Sequence, residues 1–203
     1  MKRINLLFLL CLLVGTLVSC EKEKKSELKP AEQDYLPTTA GSTWNYGGSS
    51  PYSVTATGAT KVINSKTYHE IETIQGSTSR ISYVVKENGV YTAIGMVSGF
   101  ENLEVTILKE DTPVGGSWEE ITNMNGADVK MLLSIVEKDV SKTVEGKTYN
   151  KVINVEMVQS FSIMGIDLGL EVTSHYYFAK GVGLILSELG TGEQVSLLSY
   201  NIK

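Results

Sequence analysis

The sequence predicts an all-β fold, in which about twelve strands form one antiparallel, twisted sheet. Three observations support this prediction. Segments rich in β-branched and aromatic residues follow one another from residue 35 onward, glycine and asparagine recur between them, and three sequence landmarks appear twice in the same order. The sheet is therefore expected to comprise two related meander repeats, which close as a half-barrel, a barrel or a sandwich.

The first element is a leader. Two basic residues precede an apolar run that is too short to span a membrane and that ends at Cys20, and strongly charged residues follow. This order predicts a signal peptide over 1–19. Segment 17–20, Leu-Val-Ser-Cys, resembles the lipobox of bacterial lipoproteins, and the resemblance implies that the thiol of Cys20 carries the lipid anchor.

A tether and one domain follow the leader. Segment 20–34 comprises the lipidated cysteine and a charged stretch with few apolar residues, which is typical of a flexible tether. A single β domain is expected over 35–203, with a first repeat over about 35–110 and a second over about 111–203. A chain of this length buries about 70% of its unfolded surface, so a hydrophobic core can hold the fold without disulfides.

Three landmarks support the predicted duplication. Chance explains one such match more easily than three in the same order. The first and second copies are Gly-Ser-Thr-Trp at 41–44 and Gly-Gly-Ser-Trp at 115–118, Lys-Thr-Tyr at 66–68 and 147–149, and an aromatic segment ending in lysine at 83–86 and 177–180.

Local patterns predict the individual strands. β-Branched residues that roughly alternate predict strands over 53–57 and 81–86. Segment 128–140 has apolar residues at helical spacing, but its counterpart in the first repeat is strand-like, so a strand is expected there too. Tight turns or bends are expected at 64–65, 125–126, 145–146 and 181–183.

Segment 147–158 has the clearest strand pattern. One set of alternate residues is apolar and is expected to be buried, whereas the other set is polar and is expected to face water. The apolar set is Tyr149, Ile153, Val155 and Met157, and the polar set is Asn150, Asn154 and Glu156.

Two longer motifs resemble those of a group of uncharacterised lipoproteins from Bacteroidota. They are the Pro-x-x-x-Gly-x-x-Trp opening at 37–44 and an aromatic segment followed by Lys-Gly-Val-Gly at 180–183. The resemblance covers most of the domain and implies a protein of the Gram-negative cell envelope, lipid-anchored at the outer membrane. It implies no activity, and the periplasmic and the surface-exposed face of that membrane both stay open.

Charge and cysteine content bear on further functions. The chain has 18 Lys and Arg against 23 Asp and Glu, and a formal net charge of −5. Nucleic-acid binding is not expected, because it relies on basic side chains that displace counterions from phosphates. Cys11 leaves with the leader and Cys20 is acylated, so no disulfide is predicted. No cofactor is predicted either, because Gly181-Val182-Gly183 begins like a dinucleotide fingerprint but Leu186 replaces its third glycine.

No catalytic or metal site is predicted. The base of a hydrolase is most often a histidine, but His69 and His175 fall where the other repeat has a different residue. Paired carboxylates would suit a surface glycan hydrolase, which is the less favoured reading. The candidates for that chemistry are Glu70, Glu72, Glu119 and Glu120.

An apolar segment in the longer second repeat is the most unusual local feature. Inserted hairpin tips are usually polar because they face water. This one is expected either to close one end of the core or to form an apolar patch for a ligand, a lipid or a protein partner. The patch comprises Phe161, Ile163, Met164, Ile166 and Leu168.

The expected function is that of a non-enzymatic binding or scaffold module, held at the membrane by lipid on Cys20. The alternative is a carrier of a lipid or another apolar ligand, analogous to the half-barrel lipoprotein-sorting proteins. A continuous apolar cavity between the two halves would favour a ligand-binding role, and a filled core would favour a scaffold.

Overall fold

A computed structural model describes residues 34–96, 103–124 and 127–203. The predicted leader, Cys20 and nearly all of the predicted tether lie outside these residues, as does the predicted turn at 125–126.

The described residues form twelve strands and no helix. The strands are β1 (Thr43–Tyr46), β2 (Tyr52–Ile63), β3 (Lys66–Gln75), β4 (Thr78–Glu87), β5 (Val90–Ile94), β6 (Glu104–Lys109), β7 (Ser117–Met124), β8 (Ala127–Val144), β9 (Lys147–Ile163), β10 (Ile166–Ala179), β11 (Gly183–Glu188) and β12 (Gln194–Asn201). Accordingly, no helix in this part of the chain is long and apolar enough to cross a membrane.

All twelve strands belong to one antiparallel sheet. Their order is β6-β5-β4-β3-β2-β1-β12-β11-β10-β9-β8-β7, so each half of the chain is a six-stranded meander and the β1–β12 pair joins the halves. The sheet curls into a nearly closed barrel whose free edges are β6 and β7. The predicted all-β class and the antiparallel arrangement are confirmed, and of the three closures foreseen the structure adopts a barrel-like one.

Successive connections lie at opposite ends of the barrel. We call one end the mouth, where the β1–β2, β3–β4, β9–β10 and β11–β12 connections lie. The other end is the base, where the β2–β3, β4–β5, β8–β9 and β10–β11 connections lie. Asp34 is also at the base, because its carbonyl oxygen accepts a 2.7 Å hydrogen bond from the amide of Gly181 in the β10–β11 connection.

The predicted turns are confirmed where the structure describes them. Asn64 and Ser65 have φ angles of 49° and 65°, and Glu145 and Gly146 have 48° and 74°. Two successive residues at positive φ match the right-handed twist of the strands that they join. The predicted strand over 128–140 is also confirmed, as part of β8.

The predicted burial of β9 is right for its apolar residues and wrong for Asn154. Tyr149, Ile153, Val155 and Met157 are all buried, but Asn154 is only 4% exposed. Register shifts in the facing strand β8 flank Glu137, and the Asn154 side-chain amide donates a 3.1 Å hydrogen bond to its carboxylate. An irregularity in the neighbouring strand therefore covers a residue that simple alternation leaves in water.

Two hydrophobic clusters stabilise the barrel, and each draws side chains from both halves of the chain. Tyr91 and Val105 pack with Met131 and Ile153 in the first, and Trp44 and Ile71 with Tyr177 and Leu197 in the second. All twelve strands and both clusters lie within 34–203, so residues 21–203 contain the whole described fold.

Candidate ligand-binding cavity

The curved sheet encloses a cavity of about 470 Å³. This volume lies within the range of roughly 300–1,000 Å³ that is usual for small-molecule sites. Most of the wall is apolar, and both halves of the chain contribute to it. The wall includes Trp44, Tyr46, Tyr52, Val54, Ile71, Val84, Val105, Ile107, Leu133, Met157, Tyr176, Phe178 and Leu184.

Aromatic side chains form one side of the wall. The rings of Tyr46 and Tyr52 stack, with their centroids 4.8 Å apart and their planes at 22°. The Tyr46 hydroxyl donates a 2.9 Å hydrogen bond to the carbonyl oxygen of Leu184. Burial raises the pKa of Tyr52 to about 12 and the pKa of Tyr46 well above its usual range. Both phenols are therefore neutral at physiological pH, and this side of the wall carries no charge.

The chain segment before β1 closes the base of the cavity. Leu36 and Pro37 line the cavity floor together with Gly183. The Trp44 indole N–H donates a 2.6 Å hydrogen bond to the carbonyl oxygen of Val182, which lies in the β10–β11 connection. The two motifs recognised in the sequence, far apart along the chain, thus meet and form the floor together.

A charged network holds this segment in place. The Tyr35 amide donates to the hydroxyl of Tyr91 at 3.1 Å. The Lys86 ammonium lies 2.5 Å from a carboxylate oxygen of Asp34 and 3.4 Å from one of Glu110. Burial alone would lower the pKa of Lys86, but its hydrogen bonds to Asp34 and Tyr91 raise it above its usual range. The lysine therefore stays charged and keeps the floor attached to β4 and β5.

The mouth of the cavity is polar. Thr73 pairs with Arg80 and Gln75 pairs with Thr78 across the β3–β4 ladder, and all four residues line the cavity. Deeper along the same two strands, Ile71 and Val84 are apolar. The inner surface therefore changes from apolar at the floor to polar and cationic at the opening.

Among the described residues, one acidic residue lines the mouth, Glu193 in the β11–β12 connection. Its carboxylate accepts hydrogen bonds from the Ser49 hydroxyl and, at 3.2 Å, from the Ser49 amide. Arg80, by contrast, forms no ion pair with any residue in the described part of the chain. Ser49 thus holds the Glu193 carboxylate in place, whereas the Arg80 guanidinium has no ion-pair partner within the described ranges and can bind a ligand.

Side chains bridge the two free edges of the sheet. The Trp118 indole N–H on β7 donates a 2.8 Å hydrogen bond to the carbonyl oxygen of Thr106 on β6. The Thr106 amide donates to a carboxylate oxygen of Glu120 at 3.3 Å. These contacts close the wall of the cavity along the β6–β7 seam, in place of a backbone ladder.

Two crystal structures are similar to this chain. The first is of a "putative lipoprotein" from Parabacteroides distasonis, at 12% identity and a TM-score of 0.53, covering 83% of this chain and 99% of the other. The second is of a "putative exported protein with YmcC-like fold" from Bacteroides fragilis, at 8% identity and a TM-score of 0.48, with the same coverage. No family model and no curated protein matches the chain. The similarity to the Parabacteroides protein shows that the two chains share a fold, and it shows nothing about function.

The predicted apolar patch lies at the β9–β10 tip, on the mouth end of the barrel. Ile163 and Ile166 pair with each other, and Met164 lies in the turn between them with 91% of its surface exposed. Phe161 is partly buried against the first hydrophobic cluster. None of the five predicted residues lines the cavity. Their role in contacting a ligand, a lipid or a partner stays a prediction.

The histidines and carboxylates considered for catalysis do not converge. His69 is on β3 and His175 on β10, with four strands between them in the sheet. Each carboxylate interacts with a different residue. Glu70 accepts a hydrogen bond from the Thr57 hydroxyl, and Glu72 accepts one from the Ser79 hydroxyl. Glu119 forms an ion pair with Lys130, and Glu120 accepts a hydrogen bond from the Thr106 amide. Within the described ranges, no group of three or more His, Cys, Asp or Glu is arranged to hold a metal ion.

Sequence reasoning missed the cavity residues, Arg80 above all. A signal was present in β4, where Thr78, Arg80, Ser82 and Val84 share one parity and become apolar along the strand. Such a pattern indicates a strand face that runs from water into an apolar interior. Without the closure of the sheet, however, nothing in the sequence shows that this face points into a cavity.

Proposed function

We propose that this chain is a cell-envelope lipoprotein, anchored through Cys20, whose β domain binds an apolar ligand inside the barrel. One observation carries the proposal: the two halves of the chain enclose an apolar cavity of about 470 Å³ instead of filling the centre with side chains. A domain that served only as a scaffold would gain stability by filling that space, because empty volume forfeits packing contacts.

The anchor and the location rest on the leader and on Cys20. The description of the Parabacteroides protein as a lipoprotein agrees with them. We place the protein at the outer membrane. A ligand-binding role favours the hypothesis of a carrier over that of a scaffold. Binding, rather than catalysis, suits a wall that consists mainly of apolar and neutral aromatic side chains.

A cavity-filling substitution tests the proposal. Residues 21–203 carry all twelve strands and are used for the measurement. We expect an uncharged fluorescent probe, N-phenyl-1-naphthylamine, to bind the wild type and to gain intensity in the apolar interior. Val54→Trp places a larger side chain on the cavity wall and should weaken probe binding by roughly tenfold or more, since the volume that the probe needs is taken.

The matched control is on the same strand. Val62→Trp makes the same change at a residue that is 70% exposed and does not line the cavity. It should leave probe affinity unchanged, and urea unfolding of both variants checks that each is folded. Native mass spectrometry of the wild type should in addition show a co-purified apolar molecule. Equal affinity in the two variants, or no probe binding by the wild type, contradicts the proposal.

A further inference from the structure

We infer that the ligand is an amphiphile with an anionic head group, whose apolar chain occupies the cavity while Arg80 binds its head at the mouth. This inference rests on the proposed function and specifies the chemical class of the ligand. Carboxylate, sulfate and phosphate heads share the chemistry that would be recognised: planar or tetrahedral oxyanions that accept paired N–H donors.

Position is the first argument. Arg80 lies on β4, on the strand face that continues into Ser82 and Val84, and all three residues line the cavity. Arg80 itself is exposed, whereas Ser82 and Val84 are buried. The guanidinium is therefore attached at the opening, on the inner face of the sheet, where the head of a molecule with a buried tail would lie.

Charge is the second argument. Arg80 is the only arginine that follows the leader. In the part of the chain that the structure describes, the cavity lining has two charged side chains, Arg80 and Glu193, and the Glu193 carboxylate accepts hydrogen bonds from Ser49. Among the described residues no carboxylate lies within ion-pair distance of the Arg80 guanidinium. A free cation beside an apolar interior favours a ligand that brings its own negative charge.

Further donors beside Arg80 are the third argument. Thr73 is its direct partner in the β3–β4 ladder, and Thr78 is two residues away on the same strand face. Both threonines line the mouth. Their hydroxyls can donate to the remaining oxygens of an oxyanion that Arg80 holds. The Gln75 side-chain amide uses one of its two N–H donors in a 3.2 Å hydrogen bond to the carbonyl oxygen of Ser50.

Competition against N-phenyl-1-naphthylamine tests the head-group preference. The competitors share a dodecyl chain and carry a carboxylate, a sulfate, a phosphate, a hydroxyl or a trimethylammonium head. The ionic members are used below their critical micelle concentrations and the alcohol below its solubility limit. The wild type should bind the anionic members roughly tenfold more tightly than the alcohol, and the cation more weakly than the alcohol. The preference should decline as salt is raised, because the head group stays near solvent.

Variants assign the preference to Arg80. Arg80→Gln should lose the roughly tenfold advantage of the anions and leave the alcohol unaffected, and Arg80→Lys should retain part of it. Lys61→Gln removes the same charge from an exposed residue of β2 that does not line the cavity, and should change nothing. Vesicles with and without phosphatidylglycerol then distinguish a membrane phospholipid from a free single-chain anion as the source of the head.

The outcomes separate the two proposals. If the wild type does not bind N-phenyl-1-naphthylamine, the proposed ligand-binding function is wrong. If the alcohol binds as tightly as the anions in the wild type, only the head-group inference is wrong. The head-group inference is also wrong if Arg80→Gln weakens binding of the alcohol and of the anions equally. The arginine would then stabilise the cavity without recognising the charge of the ligand.

Discussion

At the scale of single residues, the contact between Trp44 and the β10–β11 connection explains two motifs that sequence alone leaves unexplained. Gly183 has a φ of 115°, and a Cβ atom built on it would lie 3.3 Å from Nε1 of Trp44. Glycine is therefore required there for backbone conformation and for close approach to the indole. Gly183 of the closing motif and Trp44 of the opening motif therefore form one contact.

This contact yields a stability prediction. Gly183→Ala should lower the free energy of unfolding by about 1–3 kcal/mol, because it combines an unfavourable φ with crowding of Trp44. Gly192→Ala is the control, since Gly192 has a φ of 85° and nothing within 4 Å of the added Cβ. Gly192→Ala should show only the loss in free energy of unfolding that comes from the unfavourable φ. Urea unfolding measures both, and an equal loss in the two variants would show that crowding of the indole contributes nothing.

Individual residues also show where sequence reasoning succeeds and where it fails. The apolar residues of β9 follow the predicted alternation, because burial on one face of a strand is a local property. Asn154 does not, because its burial depends on an irregular register in β8 that brings Glu137 to it. Propensity within one strand holds no information on a bulge in its neighbour.

At the scale of strands, the seam between β6 and β7 is the place where the barrel is held least firmly. Elsewhere neighbouring strands share a backbone ladder. Here the Trp118 indole and the Glu120 carboxylate hydrogen-bond to the backbone of Thr106, and the Lys109 ammonium lies over the Trp118 ring. Each such bond contributes on the order of 1 kcal/mol. Local opening of the sheet should therefore begin at β6 and β7.

Removing one seam bond tests this. Trp118→Phe keeps an aromatic ring but deletes the N–H that donates to Thr106, so amide hydrogen exchange should accelerate in β6 and β7. Trp44→Phe deletes the corresponding indole N–H at the base and should leave exchange in β6 unchanged. Uniform acceleration across the sheet in Trp118→Phe would mean that the strands open together and that the seam has no separate stability.

The strands also bear on the predicted duplication. Before β1, the amide of Gly41 donates to the carbonyl of Ala56, whose own amide donates to Ser42. Before β7, Gly115, Gly116 and Ile135 form the same pair of bonds. This is the likeness that two related repeats would have at their first landmark, although the duplication itself stays a prediction. The indoles that follow have different partners, Val182 for Trp44 and Thr106 for Trp118.

At the scale of the whole molecule, the class of fold was accessible from sequence and the cavity was not. Strand number and pairing follow from turn residues and alternating patterns, which act over a few residues. Whether the centre is filled depends on how tightly the sheet curls. That curl results from bulges and from contacts between distant segments, such as the floor formed by Pro37 and Gly183.

The anchor gives a prediction for the intact protein. In a Gram-negative host that expresses the full chain, an alkyne-bearing fatty acid should label the wild-type protein. The labelled protein should fractionate with membranes. Cys20→Ala should abolish the label, because its thiol is the proposed site of acylation. Cys11→Ala should retain the label, since that cysteine belongs to the leader. Label that persists in Cys20→Ala would overturn the proposed anchor.

The position of Asp34 shows at which end of the barrel the described chain begins. The described chain enters the fold at the base, where Asp34 bonds Gly181, and the cavity opens at the opposite end, beside Arg80. In the proposed lipoprotein, the tether that leads to Cys20 therefore joins the domain at the end of the barrel opposite the opening. The attachment of the tether thus lies apart from the opening through which a ligand would enter the cavity.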